Sequence, residues 1–439
     1  MAGGGLCERS PAESARMRAI KTSHFKTSLK ILLALSALCF NPAFSDPKTL
    51  QINSLEQGQD AEAEAAVEPR SGFIYRLLGE GEGEMPLLGI KWDADIFLDV
   101  PINNEPEDSD FTVRRTRLSL RKRFRENWKA KMSLEVTSSK VELRDNFLEY
   151  TGWRTGVVKL GIFDEPFSME SMSTTRGLTF MERSLPVAAL APGKSVGAGL
   201  LKRTHNGIFS GGLFFRSPAQ DGQGEAGQAL AIRWVRSPLF RPENDDAHAG
   251  VSFSYRKNAS SEDTRYRSRP ETGVTDNRFV DTGEIEGADK ILRLGVESSR
   301  VRGAFSWQAE LMALQVQRVD FDHVLLMGGY VFVSWFLTGE SRNYDAGTGR
   351  FKRVKPRAPL GSGGKGSFEL TGRVSWVDLT DEDIIGGEQS NVTLGLNWRP
   401  RDNWRVMANL IKVLDVNRPG SQFDGESPLI LSLRLQWEL

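Results

Sequence analysis

The sequence predicts an all-β protein, an antiparallel transmembrane barrel of about sixteen strands with loops folded inward. Three observations predict it. No stretch after residue 45 carries the roughly twenty apolar residues that a spanning helix needs. From residue 88 onward, short segments alternate apolar and polar side chains with a period of two. About sixteen such segments follow one another, an even number that suits a bacterial barrel. The bulk composition agrees: 39% of residues are apolar and 26% charged, a low apolar share for a membrane protein unless its strands show lipid one face only.

The chain opens with a different signal. Lys21, Lys26 and Lys30 precede the apolar run Ile31-Leu32-Leu33-Ala34-Leu35-Ser36-Ala37-Leu38-Cys39-Phe40, and Ala43-Phe44-Ser45 supplies a small-x-small cleavage site. Residues 1–45 therefore read as a secretory signal peptide, with Met17 an alternative start. Both cysteines, Cys7 and Cys39, leave with it, which suits passage through an oxidising compartment. Cleavage also removes six basic and two acidic residues, leaving 51 basic against 55 acidic. A slightly acidic chain can prefer anions only through where its charges sit. Residues 46–87 are polar and acidic and read as a periplasmic extension; residues 88–439 are the barrel.

The alternation is plain in Ile90-Lys91-Trp92-Asp93-Ala94-Asp95-Ile96, in Val392-Thr393-Leu394-Gly395-Leu396-Asn397-Trp398 and in Leu431-Ser432-Leu433-Arg434-Leu435-Gln436-Trp437. Such segments lie near 88–100, 112–124, 128–138, 141–151, 155–163, 194–204, 208–217, 227–237, 247–257, 290–301, 304–319, 325–338, 366–379, 390–399, 403–413 and 427–439. Short turns such as Arg125-Glu126-Asn127, Arg302-Gly303 and Pro400-Arg401-Asp402 belong to the periplasmic side, and the long loops 164–193 and 258–289 to the outer side. Residues 339–365 break this rule: they are long and basic, yet fall on the short-turn side. A turn of that kind folds into the lumen, and a sixteen-stranded barrel is wide enough to need such filling.

The strongest charge feature is Val113-Arg114-Arg115-Thr116-Arg117-Leu118-Ser119-Leu120-Arg121-Lys122-Arg123-Phe124. Leu118, Leu120 and Phe124 share one face; Arg115, Arg117, Arg121 and Arg123 share the other, continued by Lys129 and Lys131. With the leucines toward lipid, the arginines form a column inside the barrel, where guanidinium forks match phosphate oxygens and focus positive potential. The plainer reading is a wet lumen whose cations are neutralised by Asp93, Asp95, Asp99, Glu135, Asp145 and Glu149, with lipopolysaccharide contact at the rim. The 164–184 loop combines hydroxyls and Arg176 with enough apolar residues to pack inside as a constriction.

At this point the chain resembles the phosphate-selective porin O/P family. The resemblance is carried by Arg114-Arg115-Thr116-Arg117-Leu118; by Leu160-Gly161-Ile162-Phe163-Asp164-Glu165-Pro166-Phe167-Ser168-Met169-Glu170 with Phe180-Met181-Glu182-Arg183; by the His248-Ala249-Gly250 strand followed by Ser268-Arg269-Pro270-Glu271; by Leu337-Thr338-Gly339-Glu340; and by Gly395-Leu396-Asn397-Trp398. It implies a homotrimer of sixteen-stranded outer-membrane barrels, with loops and one periplasmic turn folded inward around a narrow basic eyelet. By position, Arg114 and Arg115 match the strand part of that eyelet, Arg176 with Thr175 the loop part, and Asp145 its acidic member. Some members carry lysine at Arg176 and serine at Thr175, and Arg117 stands at an aromatic position; these departures bear on pore width and on which anion is preferred. The implied partners are phosphate, pyrophosphate or polyphosphate.

Other classes fit less well. His205, His248 and His323 come with no Gly-x-Ser-x-Gly elbow and no metal motif, so neither an outer-membrane enzyme nor a metal or other cofactor is expected. No plug or passenger domain is present for receptor work. Nucleic acid is not expected, because the basic column is enclosed. A general, weakly selective porin is the rival within transport, separated by whether the arginines converge at one level.

Overall fold

The computed structural model describes residues 87–99, 111–136, 141–216, 225, 227–237, 245–258, 264–273 and 275–438. Residues 1–86, on which the expected signal peptide and nearly all of the expected polar extension fall, and the side chains of Arg114, Arg115, Asp93, Asp95 and Asp99 lie outside this described set. Along the chain run β1 (Leu87–Asp99), β2 (Phe111–Phe124), β3 (Trp128–Val136), β4 (Val141–Leu143), β5 (Asn146–Tyr150), β6 (Gly156–Asp164), α1 (Met169–Met172), α2 (Leu185–Leu190) and β7 (Lys194–Thr204). Next come β8 (Gly207–Arg216), β9 (Gln228–Arg236), β10 (Asp245–Lys257), β11 (Arg267–Ser268), β12 (Val280–Asp281), β13 (Ala288–Arg302), β14 (Phe305–Arg318) and β15 (Val324–Phe336). The chain finishes with β16 (Asn343–Asp345), β17 (Arg350–Lys352), β18 (Ser367–Asp381), β19 (Ile384–Arg401), β20 (Trp404–Asn417) and β21 (Leu429–Glu438).

Seventeen of these strands form one antiparallel sheet, and β4 and β5 are two halves of one interrupted crossing, so the chain crosses sixteen times. Each crossing pairs with the next, and β1 pairs with both β2 and β21, which closes the ring and leaves no edge. The small hairpins β11–β12 and β16–β17 stand apart from it.

The side-chain distribution is inverted relative to a water-soluble sheet. Leu118 is 40% exposed and Leu396 44%, whereas Arg233, Arg256, Arg293 and Arg373 are no more than 2% exposed. Leucines outside and arginines inside are stable only with hydrocarbon around the barrel and polar groups within it. Aromatic pairs mark the short-turn end: Phe124 stacks with Trp128, Phe368 with Trp398, and Trp404 lies against Trp437, the amphipathic rings that favour a membrane interface.

Two departures from strict alternation matter. Between β4 and β5 the register slips by one residue: Leu134 pairs with Leu143 but Lys131 with Phe147. This bulge brings two consecutive side chains, Arg144 and Asp145, to the lumen cavity, which an unbroken strand cannot do. The second is a correction. The alternating pattern ends near 379 and resumes at 390, but β18 and β19 continue to a tight turn at Glu382-Asp383. The Ile384-Ile385-Gly386-Gly387 stretch lacks the apolar-polar signature, because strands beyond the lipid belt have no face to hide.

The long connections do fold inward. Phe167, Phe180, Leu185, Val187 and Leu190 from the 165–193 loop, with Tyr266, Val280 and Ile285 from the 258–287 loop, form an apolar cluster with Leu314, Leu326, Tyr330 and Val377 on the wall. This cluster fills the lumen against β13–β18. The 337–366 connection enters from the opposite end. Its hairpin β16–β17 meets the 165–193 loop where Gly177 abuts Phe351 so closely that an added Cβ would lie 2.3 Å from the Phe351 carbonyl oxygen. Leu185→Ala should cost the loop about 2–5 kcal/mol of packing. Faster amide exchange across 165–193, with the wall strands still protected, is the expected result.

Candidate functional site: a basic channel beside the inserted loops

Because the loops fill one side, open space remains along the other. A cavity of about 950 Å³ runs beside β2, β3, β5, β6 and β7 and is bounded by the 165–193 loop and the β16–β17 hairpin. Among the described residues lining it, fifteen are Lys or Arg and five are Asp or Glu. That imbalance exists although the whole chain has equal numbers of basic and acidic residues. The wall and the plug thus sort charge, and the low-dielectric surround strengthens the resulting field.

The predicted column faces this cavity. Arg117, Arg121, Arg123, Lys129 and Lys131 all line it, and β2 and β3 set Arg117 across from Glu135, Arg121 across from Lys131 and Arg123 across from Lys129. The five differ in their partners. Arg117 Nε is 2.9 Å from Glu135 Oε2, and Lys129 Nζ is 3.3 Å from Glu149. Lys131 forms an ion pair with Asp145. Arg121 and Arg123 have no side-chain hydrogen bond or ion pair among the described residues and are exposed to the lumen. Three of the proposed neutralising carboxylates, Glu135, Asp145 and Glu149, do pair with the column, and the two arginines toward the short-turn end have no acidic partner among the described residues.

Asp145 sits between two lysines, Lys131 and Lys194, and Lys194 also lies 2.8 Å from Asp164. Lys194 is the first residue of β7 and was not singled out from the sequence, although its place two residues before the alternating Val196–Leu200 run was a usable signal. Lys159, 3.5 Å from Glu149, and Arg350 and Lys352 on the inward hairpin were also missed. The hairpin carboxyl of Asp345 is held below its ordinary range: burial works against ionisation, but hydrogen bonds from Lys352, Thr348 and the Gly347 backbone outweigh it.

Thr175 and Arg176 occupy a single 3-10 turn, Thr175–Gly177, and both line the cavity. Arg176 Nε is 2.6 Å from Glu438 at the end of β21, and Arg353 lies 3.5 Å from the same carboxylate. Arg353, Arg121 and Arg117 are near enough for their charges to act on Arg176. The loop arginine and the strand column thus line the same cavity. Of Arg114 and Arg115 only the backbone is described; Arg115 pairs with Asp93, and the register slips just before it.

Other lumen arginines have a different task. Arg405 donates to the carbonyls of Leu178 and Thr179 at 2.8 and 2.9 Å, Arg293 to that of Leu190 at 2.8 Å, and Arg373 to that of Glu182 at 3.1 Å. In return, carboxylates accept from the loop: Glu310 on the wall from the Glu170 amide at 2.7 Å, and Glu271 in the second inserted loop from the Leu185 amide at 3.1 Å. These bonds satisfy a buried loop backbone that would otherwise be orphaned.

Residues 88–439 match the family model described as phosphate-selective porin O and P. The chain belongs to that family. A protein of Caulobacter vibrioides is 27% identical over 289 residues, covering 63% of this chain and 57% of its own length. Porin O of Pseudomonas aeruginosa is 22% identical over 329 residues, covering 65% of this chain and 72% of its own. Among solved structures, OmpF of Salmonella typhi, in complex with daunomycin, superimposes with a TM-score of 0.51 at 10% identity, covering 81% of this chain and 97% of that one, a likeness of fold. As a family member the protein is an outer-membrane porin barrel.

The pairing pattern separates two groups of arginines. Arg121→Ala combined with Arg123→Ala should lower the anion-to-cation permeability ratio while changing stability by no more than about 0.5 kcal/mol. Arg405→Ala should instead free the loop and raise conductance to both ion signs. Single-channel recording under a salt gradient reads both, and identical behaviour of the two variants would refute the distinction.

Proposed function

We propose that the protein is a passive, anion-preferring pore of the outer membrane whose substrates are small inorganic anions, phosphate, pyrophosphate or polyphosphate. The observation that carries this reading is the excess of cations lining the cavity, with Arg121 and Arg123 unpaired among the described residues and Arg176 brought to the same region. An anion entering such a space exchanges its hydration shell for several guanidinium and ammonium donors. Arg117, Asp145, Thr175 and Arg176, with Arg114 and Arg115, are the proposed constriction; Arg121, Arg123, Lys129 and Lys131 form the path beyond it. Each contact must be weak or shared enough for the anion to leave.

The proposal includes removal of residues 1–45 on secretion, assembly as a homotrimer and contact with lipopolysaccharide at the rim. It needs no cofactor and no covalent step. The histidines support a channel over an enzyme. His205 lies in the β7–β8 turn and His323 directly before β15. His248 is buried, with Nδ1 2.6 Å from the Tyr344 hydroxyl and Nε2 2.9 Å from Glu297, where it ties the inward hairpin to the wall. Among the described residues no group of three or more His, Cys, Asp or Glu is placed to hold a metal ion.

One observation favours a general, weakly selective porin: Glu135, Asp145 and Glu149 pair with Arg117, Lys131 and Lys129 and reduce the net field. Reversal potentials in a planar bilayer separate the two readings. A chloride gradient should give a strongly anion-selective potential, and added phosphate should block chloride current. Arg115→Ala with Arg176→Ala should weaken both effects. Near-zero selectivity and no block would leave the general porin.

A further inference from the structure

Glu438 is out of place in a site built to attract anions. It is the last described residue of β21, its carboxylate is 6% exposed, and it sits against the loop arginine that the anion-pore reading puts at the constriction. Its position is well determined. The Glu438 amide donates to the Asn403 carbonyl at 2.9 Å. Gln436 Nε2 donates to its Oε1 at 2.8 Å, and Arg353 approaches its Oε2 at 3.5 Å. Arg176 meets it through Nε, at 2.6 Å. The two terminal nitrogens of Arg176 make no hydrogen bond among the described residues, and the side chain is 36% exposed, lining the cavity.

One flank of the guanidinium thus carries a carboxylate while its terminal edge stays open to the channel. A guanidinium has five donors in one plane and can hold two oxyanions at once. The two then repel each other across it. The second anion binds less tightly than it would to a bare arginine, and the loss grows with the charge it carries.

We propose that Glu438 is a resident counter-ion of the constriction that sets how tightly Arg176 holds a passing anion, and so fixes the balance between binding and release. This rests on the anion-pore reading and deepens it. Arg176 alone, backed by Arg353, Arg121 and Arg117, would retain a multivalent anion and slow its exit. Glu438 lowers that hold without removing the donor. It is a specificity-determining residue that acts through Arg176 and need not touch the permeating ion.

The test is Glu438→Gln in the full-length pore, with Glu438→Asp as the charge-conserving control. Glutamine keeps the size and the acceptor oxygen and deletes the charge. The expected result is phosphate block of chloride current at about fivefold lower phosphate concentration, the effect of one charge a few ångströms away in a wet site. Maximal anion current at saturating phosphate should fall; the aspartate variant should remain close to wild type. A glutamine variant whose block is unchanged, in a pore whose wild type prefers anions, overturns the inference alone. So does a variant that conducts both ion signs better, because Glu438 is then only a tie for the loop. A wild type with no anion preference overturns the underlying functional reading instead.

Discussion

Everything in this molecule follows from pairing every peptide group of a strand that lies in hydrocarbon. An unpaired edge in lipid costs several kcal/mol per group, so β1 has to find β21 and the sheet has to close. Closure fixes sidedness: one face of each strand meets lipid and the other meets the interior. Sixteen crossings then enclose more space than wall side chains can fill. Here that surplus is taken up by the chain's own loops.

Loop filling brings its own constraint. The 165–193 segment carries backbone amides and carbonyls into a space away from bulk water, where each needs a partner. Wall residues and the second inserted loop supply them. Arg293, Arg373 and Arg405 donate to loop carbonyls, and Glu271 and Glu310 accept from loop amides. The apolar side chains of the same loop pack on inward-facing Leu314, Leu326 and Val377. One half of the lumen thereby becomes a core, and the other half stays open. The cations left on the open side, beside β2 and β3, are those the plug does not use. Charge selectivity is thus a consequence of unequal filling and requires no unusual net charge.

Much of this was legible in the sequence. The wall strands were readable wherever both faces had work to do, as in Ile90–Ile96 or Leu431–Trp437, because lipid and water impose a period of two. The Ile384–Gln389 part of β19 was not readable, since a strand beyond the lipid has no apolar face. The inward loop could be anticipated from Phe167, Phe180 and Leu185, residues too apolar for a surface loop. The site was legible only in part. The facing of Arg117, Arg121 and Arg123 follows from the leucines between them. Their pairing does not, because it depends on cross-strand register and on the bulge that turns both Arg144 and Asp145 to the cavity. Arg176 and Glu438 come from distant parts of the chain and meet only when the loop lies inside a closed barrel, so no local pattern reveals their contact. Arg373 and Arg405 were not singled out in the sequence, because their task, binding loop carbonyls, exists only once the loop is inside.

Among the described residues, the positive charge without an acidic partner gathers at one place in the open half of the lumen. Anomalous diffraction from crystals soaked in bromide tests it most directly. Bromide peaks within hydrogen-bonding reach of Arg121, Arg123 and the terminal nitrogens of Arg176 are the predicted result. Bromide confined to the outer loops, with none in the cavity, would contradict the account.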